Sequence, residues 1–271
     1  MIWSWDVKHC VVTTFNKTGY KEYGAKFLAR FNQYWPTEVQ LFVYLEGMKK
    51  QSEGNIVFLE QSHHLSSLLR FKSDNQAQPF ANGHSPWQSH KTGFFWDAVK
   101  FSNKVFAVSH GILSNYLSFD QLIWLDADTV THRQISNGLL DELAPQGNQL
   151  SAFLNRAIFP ECGWVGYNLK HPHICEFARD FEEIYSSGNY KFLRECHDSY
   201  VFHRLIESYV LKYNVDWRAL GDNTSTGHVF LNSQLGIYMD HLKGPKRKLR
   251  GASSANDLSN TRQKHEWMEV S

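Results

Sequence analysis

Two carboxylates one residue apart, Asp126 and Asp128, stand directly behind the apolar run Leu122-Ile123-Trp124-Leu125 and ahead of Thr129. On extended backbone, residues two apart share a face, so a turn at this point aims both side chains at one cation. A pair of hard oxygen donors suits Mg²⁺ or Mn²⁺ better than zinc, and such an ion commonly bridges phosphates. The plainer alternative is that the two aspartates only end a strand and begin a turn, as Asp often does. A second concentration of charge lies late in the chain, at Lys243, Lys246, Arg247, Lys248 and Arg250. Runs of this kind are usually a solvated tail.

The elements that must position these groups are legible from periodicity. Leu122–Leu125, between polar Ser118–Gln121 and polar Thr131–Gln134, suits a central strand covered on both faces, and its carboxyl end should open into a cleft. Lys8–Thr14 reads as the first strand, and it stops at polar Thr13, Thr14, Phe15, Asn16 and Lys17. A helix opens at Thr18 or Gly19, carries Tyr23, Phe27, Leu28 and Phe31 as its stripe, and ends before Pro36. Val39–Tyr44 and Ile56–Leu59 read as further strands, and the order β-α-β-β implies a mostly parallel sheet with helices on its faces.

Ser73–Thr92 lacks periodicity and reads as a long loop of the kind that often serves as a lid. A helical region from Phe94 to about Leu117 buries Phe94, Ala98, Phe101, Val105, Val108 and Ile112, with Asp97, Lys100 and Lys104 near that stripe. Those three either reach the cleft mouth or form an exposed salt-bridged face. A short helix Ile135–Leu143, a strand Leu150–Leu154 and the segment Cys162–Asn168 follow. In that segment Gly163 and Gly166 flank Trp164 and Val165, which permits close approach of backbone to a ligand or marks a bulge. Pro172–Ser187 and Ser199–Lys212 read as helices, with Asp198 an apparent N-cap of the second.

Composition narrows the function classes. A length of 271 residues suits one large α/β domain, and no repeat, low-complexity tract or linker divides it. A formal charge of +1 speaks against extended nucleic-acid binding. Aromatic residues make up 15% of the chain and include nine Trp, which are core residues first and groove-lining candidates second. Cys10, Cys162, Cys175 and Cys196 show no Cys-x-x-Cys spacing, so reduced thiols and a cytoplasmic location are expected. Met1–Asp6 lacks the order of a signal peptide, and no run approaches a transmembrane span.

Taken together, the first strand ending in polar residues, the apolar strand ending Asp-x-Asp and the late His241-Leu242-Lys243-Gly244 resemble the nucleotide-sugar-dependent glycosyltransferases of the GT-A fold. Within that fold the likeness is to the glycogenin and lipopolysaccharide galactosyltransferase group. It spans roughly residues 8 to 248 and is strongest at Leu122–Thr129 and Tyr238–Lys248. The resemblance implies a Rossmann-like α/β domain over residues 1–271, with a nucleotide-binding half to about 130, a donor-sugar and acceptor half over about 131–248, and a tail from 249.

It further implies Mn²⁺, or Mg²⁺, held by Asp126, Asp128 and His241 and bridging the diphosphate of a UDP-sugar. Asp126 would also approach the ribose. Thr13, Thr14, Phe15 and Asn16 would meet the base and ribose, and Lys104, Gly244 and Lys246 the donor. Here the base spacing departs from the group's usual His-x-x-Gly-x-x-Lys, because position 247 is Arg and lysines stand at 246 and 248. Asp198 resembles the acidic residue near the transferred sugar, and Gly163–Gly166 would line the sugar or acceptor side. Stereochemical retention is favoured; inversion would need a base, for which Asp198 or Glu161 is a candidate.

Two other readings stay open. Asp126-Ala127-Asp128-Thr129 also fits the nucleophile motif of haloacid-dehalogenase-like phosphatases, although that motif normally ends the first strand of the core and here a long structured stretch precedes it. The late acidic motif of those enzymes would have to come from Gly221–Thr226, which offers a single carboxylate. A sugar- or nucleotide-binding protein without turnover is the remaining alternative.

Overall fold

The computed structural model describes residues 7–88, 90–221, 228–254 and 257–258. In chain order the elements are β1 (His9–Asn16), α1 (Lys17–Gly19), a π-helical turn Tyr20–Gly24, α2 (Ala25–Tyr34), β2 (Gln40–Glu46), β3 (Ile56–Glu60), α3 (Gln61–His64) and α4 (Ser66–Asn75). They continue with α5 (Ala98–Asn115), β4 (Gln121–Leu125), β5 (Thr129–Thr131), α6 (Asn137–Leu143), β6 (Gln149–Leu154), β7 (Glu161–Asn168) and α7 (Ile174–Ser186). The last are α8 (Asp198–Tyr213), β8 (Asp216–Ala219), β9 (Met239–His241) and α9 (Pro245–Arg250).

Seven strands form one sheet in the order β3-β2-β1-β4-β7-β6-β8. The pairs β1/β2, β2/β3, β1/β4 and β6/β8 are parallel, while β7 runs antiparallel to both of its neighbours. This is the mixed, mostly parallel α/β sheet that the β-α-β-β order predicts. Every residue of β4 is buried, and alternate side chains enter opposite layers, Leu122 and Trp124 into one core and Ile123 and Leu125 into the other. The first core lies under α4, α5, α7 and α8, the second under α2 and α6. A central strand covered on both faces has no polar side to spare, which is why its sequence is a continuous apolar run.

Several boundaries differ from the expectations. The presumed loop from Ser73 begins inside α4, whose last three residues are Ser73–Asn75, and a 3-10 turn occupies Pro79–Ala81. The remaining loop is closed at its base by a bridge between His84 and Thr92 and by the Gly83 N–H donating to Trp96 O at 3.0 Å. Phe94–Trp96 is a separate 3-10 turn, and Asp97, for which the cleft mouth and an exposed salt-bridged face were both open, caps α5 by accepting from the Lys100 N–H. The cap of α8 is His197, with Asp198 inside the helix.

The carboxyl ends of β1 and β4 share one edge of the sheet, since Val12 pairs with Trp124 in parallel register. Beyond β4 the chain turns through Asp126–Asp128 into β5, which pairs antiparallel with β9 in a small separate ladder that sets Thr129 opposite His241. The Leu242 N–H extends this ladder to Asp128 O at 2.9 Å. This pairing carries a residue from late in the chain to the Asp-x-Asp turn.

Candidate metal centre

Asp126, Asp128 and His241 each offer a ligand atom, and the three atoms lie within 4.8 Å of one another. His241 Nε2 is 3.5 Å from Asp126 Oδ2 and 3.2 Å from Asp128 Oδ1. Ligands about 2.1 Å from one octahedral ion stand about 3 Å apart when they are neighbours, so these separations fit a single small divalent cation. The imidazole is buried, and its Nδ1 has no hydrogen-bond partner, with Glu161 Oε1 at 3.8 Å. Nε2 is thus the nitrogen presented to an ion, with the acidic neighbour on the other side of the ring, as metal-bound histidines commonly have.

Local packing fixes each ligand. Asp126 Oδ1 accepts from the Trp124 indole at 2.7 Å and from Lys104 at 3.1 Å, which leaves Oδ2 toward His241. Trp124 and Asp126 are two apart at the end of β4, so strand alternation puts them on one side. The Asp126 N–H donates to Gly163 O at 2.9 Å and anchors the turn to β7. Gly163 is needed for a different reason: a Cβ there would lie 2.7 Å from His241 Cε1 and 2.9 Å from its Nδ1. The close approach foreseen at this glycine is therefore to a side chain of the protein itself. Gly166 packs on Pro145 and Ala152 instead.

A ring of opposite charge surrounds the three ligands. Lys104 on α5 bridges Asp126 at 3.1 Å and Asp198 at 2.7 Å, and its ammonium lies over the Trp124 ring, 5.0 Å from the centroid. Burial disfavours the Lys104 ammonium, but Asp126 and Asp198 outweigh it and hold the proton firmly. Lys248 on α9 reaches Asp128 Oδ2 at 2.8 Å and lies over the Tyr23 ring at 4.6 Å. Lys243 pairs with the buried Glu161, which also accepts from the Gly163 N–H.

The electrostatic consequences are large. Burial opposes ionisation of Asp126, yet Lys104, His241 and Trp124 hold its carboxyl far below the usual carboxylate range. For Asp128 burial is likewise outweighed, by His241 and Lys248 against repulsion from Asp126. Glu161, despite burial, is held down to about 2 by Lys243 and His241. Burial would lower His241, but Asp128, Asp126 and Glu161 push it up to about 10. A proton on Nε2 and a divalent cation answer the same negative field. With neutral imidazole, four carboxylates face three ammoniums; a divalent ion turns that deficit into a net positive site suited to an anionic ligand.

Not every predicted residue reaches this centre. Lys246 is exposed on α9, whereas Lys248, two residues and about 200° further round the helix, makes the contact. Gly244 has φ +87°, with nothing within 4 Å of a Cβ, so it turns the chain from β9 into α9 rather than making room for a neighbour. Thr13 and Phe15 are buried. The Thr14 hydroxyl donates to Tyr44 O and accepts from Gln61, and Asn16 caps α1. Asn16 remains exposed, and of the four side chains it is the one most open to a ligand. Asp222–Thr226, on which a phosphatase motif would depend, lie outside the described residues.

The sequence reading missed Lys243 as the partner of Glu161, Tyr23 beneath Lys248, and His228 and Phe230, whose rings stand 5.4 and 5.1 Å from that of His241. Tyr23 carried a signal in the helical stripe; the others depend on long-range contact. All four cysteines are free. Cys162, beside Lys104, is pushed up to about 12 by burial and is unreactive as a thiolate at neutral pH. Among the described residues no helix is long and apolar enough to cross a membrane.

No protein-family model matches the chain, and no curated protein matches it. Among solved structures, that of mouse xyloside xylosyltransferase 1 in its apo form is similar over 79% of this chain and 86% of that chain, at 11% sequence identity and a TM-score of 0.47.

Proposed function

We propose that this chain is a divalent-cation-dependent glycosyltransferase of the GT-A type that moves a sugar from a UDP-sugar to a hydroxyl acceptor with retention. The observation that carries the reading is the delivery of His241, through the β5/β9 ladder, to the Asp126–Asp128 turn at the carboxyl end of a central strand. Two carboxylates and an imidazole within 4.8 Å suit Mn²⁺ or Mg²⁺, with Mn²⁺ favoured by the nitrogen donor. When bound, the ion supplies Lewis-acid stabilisation to the departing diphosphate.

The residues around the centre divide the remaining work. Lys248, beside Asp128, is the base placed to stabilise the anionic leaving group; it takes the role that the resemblance implied for Lys246. Lys104 pairs with Asp126 and with Asp198 and so orients both carboxylates. Asp198 presents negative charge toward the sugar side of the cleft. The residues up to about 130 then form the nucleotide half, and those over about 131–248 the sugar and acceptor half.

Retention is supported by the state of the two candidate bases. Glu161, held down to about 2, is a weak proton acceptor at neutral pH, and Asp198 is buried against Lys104. An inverting mechanism needs an accessible base at the acceptor hydroxyl. The phosphatase reading gains no support from the site. Both oxygens of Asp126 face protein partners, and among the described residues the three-ligand cluster holds two carboxylates and a histidine.

The test is product analysis of a UDP- and GDP-sugar panel incubated with Mn²⁺. Release of UDP from one donor, abolished by EDTA and by Asp128→Ala, is the expected result. Phosphate release from a generic phosphomonoester without donor cleavage would overturn the proposal.

A further inference from the structure

We propose that the ring cluster around His197 is a subsite for a sugar ring of the acceptor, an inference that rests on the glycosyl-transfer reading for its occupant. Phe94, Phe95, Phe101, Phe159 and Tyr200 surround the buried His197, with ring centroids 5.6, 5.9, 5.9, 4.9 and 6.3 Å from it. They come from separate parts of the fold: the 3-10 turn before α5, α5 itself, the segment between β6 and β7, and α8. Phe94 is 53% exposed, and Ile158, next to Phe159, is 75% exposed. Rings gathered from distant segments, with Phe94 exposed and Phe95, Phe101, Phe159 and Tyr200 half-buried, form a platform that the core does not require.

Its place in the molecule points to the occupant. His197 is followed directly by Asp198, which pairs with Lys104. Phe101 and Lys104 are three apart on α5, so the platform begins one helical turn, about 5 Å, from the lysine that holds Asp126. An acceptor resting there has its hydroxyls beside the sugar side of the metal centre.

The chemistry around the rings selects a carbohydrate over a purely apolar ligand. The Arg156 guanidinium lies 4.8 Å over the Phe159 ring, with Nε donating to Phe159 O at 2.6 Å. The Glu195 carboxylate is 2.9 Å from His197 Nε2. A pyranose lays a C–H face on an aromatic ring and turns its hydroxyls to a planar cation and a carboxylate at the rim. An acyl chain would use the rings but cover the remaining N–H groups of the Arg156 guanidinium with apolar surface, at a desolvation cost that a sugar hydroxyl avoids by accepting from them.

Saturation-transfer NMR on the full chain with Mg²⁺ and UDP tests this, using methyl β-glucopyranoside, lactose and maltose as probes and hexanol as the apolar control. At least one sugar should receive saturation at its ring C–H protons, with at least a fivefold loss in Phe94→Ala and in Phe159→Ala. Phe94 is exposed, so the first variant should keep the wild-type melting temperature. Contact should persist in Asp128→Ala, which lacks a metal ligand. No saturation of any sugar, a signal unchanged in both aromatic variants, or binding of hexanol alone would each overturn the subsite. Loss of the transferase reading would show instead as absent donor cleavage by the wild type alongside retained sugar contact.

Discussion

Gly163→Ala should weaken the metal centre without replacing any ligand. The added methyl carbon would sit 2.7 Å from His241 Cε1, where ordinary contact begins at 3.4 Å, so the ring must retreat by about 0.7 Å. Retreat is hindered, because the other sides of the ring carry Phe230 and His228. Metal–ligand distances tolerate only about 0.2 Å, so the displaced imidazole leaves the coordination sphere or binds poorly. Disturbance of such a supporting contact typically costs 10- to 100-fold in metal affinity. Overpacking itself should cost about 1–3 kcal/mol of stability, which for a chain of this size lowers the melting temperature by about 2–4 °C per kcal/mol. Calorimetric titration with Mn²⁺, beside a thermal melt, reads both quantities. A Gly163→Ala protein that binds Mn²⁺ as tightly as the wild type would refute the packing argument and the ligand role of His241 with it.

Further outcomes follow from the same geometry. Lys104→Met leaves the buried Asp198 and the half-buried Asp126 without their shared cation and should cost about 3 kcal/mol in denaturant unfolding, at the low end for breaking a buried pair because Asp126 keeps some contact with solvent; a loss under 1 kcal/mol would show that the bridge is not formed. Lys248→Ala should weaken UDP binding by tenfold or more while Lys246→Ala leaves it unchanged, and equal effects would place the basic helix differently. Because His241 stands at about 10 without metal, it is protonated at pH 8, and Mn²⁺ binding should release about one proton there. Binding enthalpies measured in buffers of different ionisation heat check this, and buffer-independent heats would contradict it. The same raised value adds stability to the metal-free protein that is complete below the ordinary histidine value and fades as pH rises through about 10.

The parts legible in the sequence were those whose cause is local. The strand behind Asp126 announced itself because burial on both faces demands an unbroken apolar run. The long helix α5 and the amphipathic α7 did so through their periodicity. α4 escaped because its buried residues are few, Leu68, Phe71 and Asn75, amid polar neighbours. β8 and β9 escaped because runs of four and three residues carry no readable period. Within the site the Asp-x-Asp pair was legible, and the ladder that delivers His241 was not, since strand pairing across such a separation leaves no local mark. The choice between Lys246 and Lys248 turned on helical phase: spacing counts residues along the chain, whereas α9 rotates them. The void that Gly163 leaves for the imidazole exists only once both strands are in place.

The most direct test is calorimetric titration of UDP into the wild-type protein with Mn²⁺, with EDTA, and into Asp128→Ala with Mn²⁺. Saturable UDP binding with Mn²⁺ that disappears in the other two conditions is the expected result. UDP binding that is equally strong without the metal, or absent in all three, would contradict a metal centre built from Asp126, Asp128 and His241 to hold a nucleoside diphosphate.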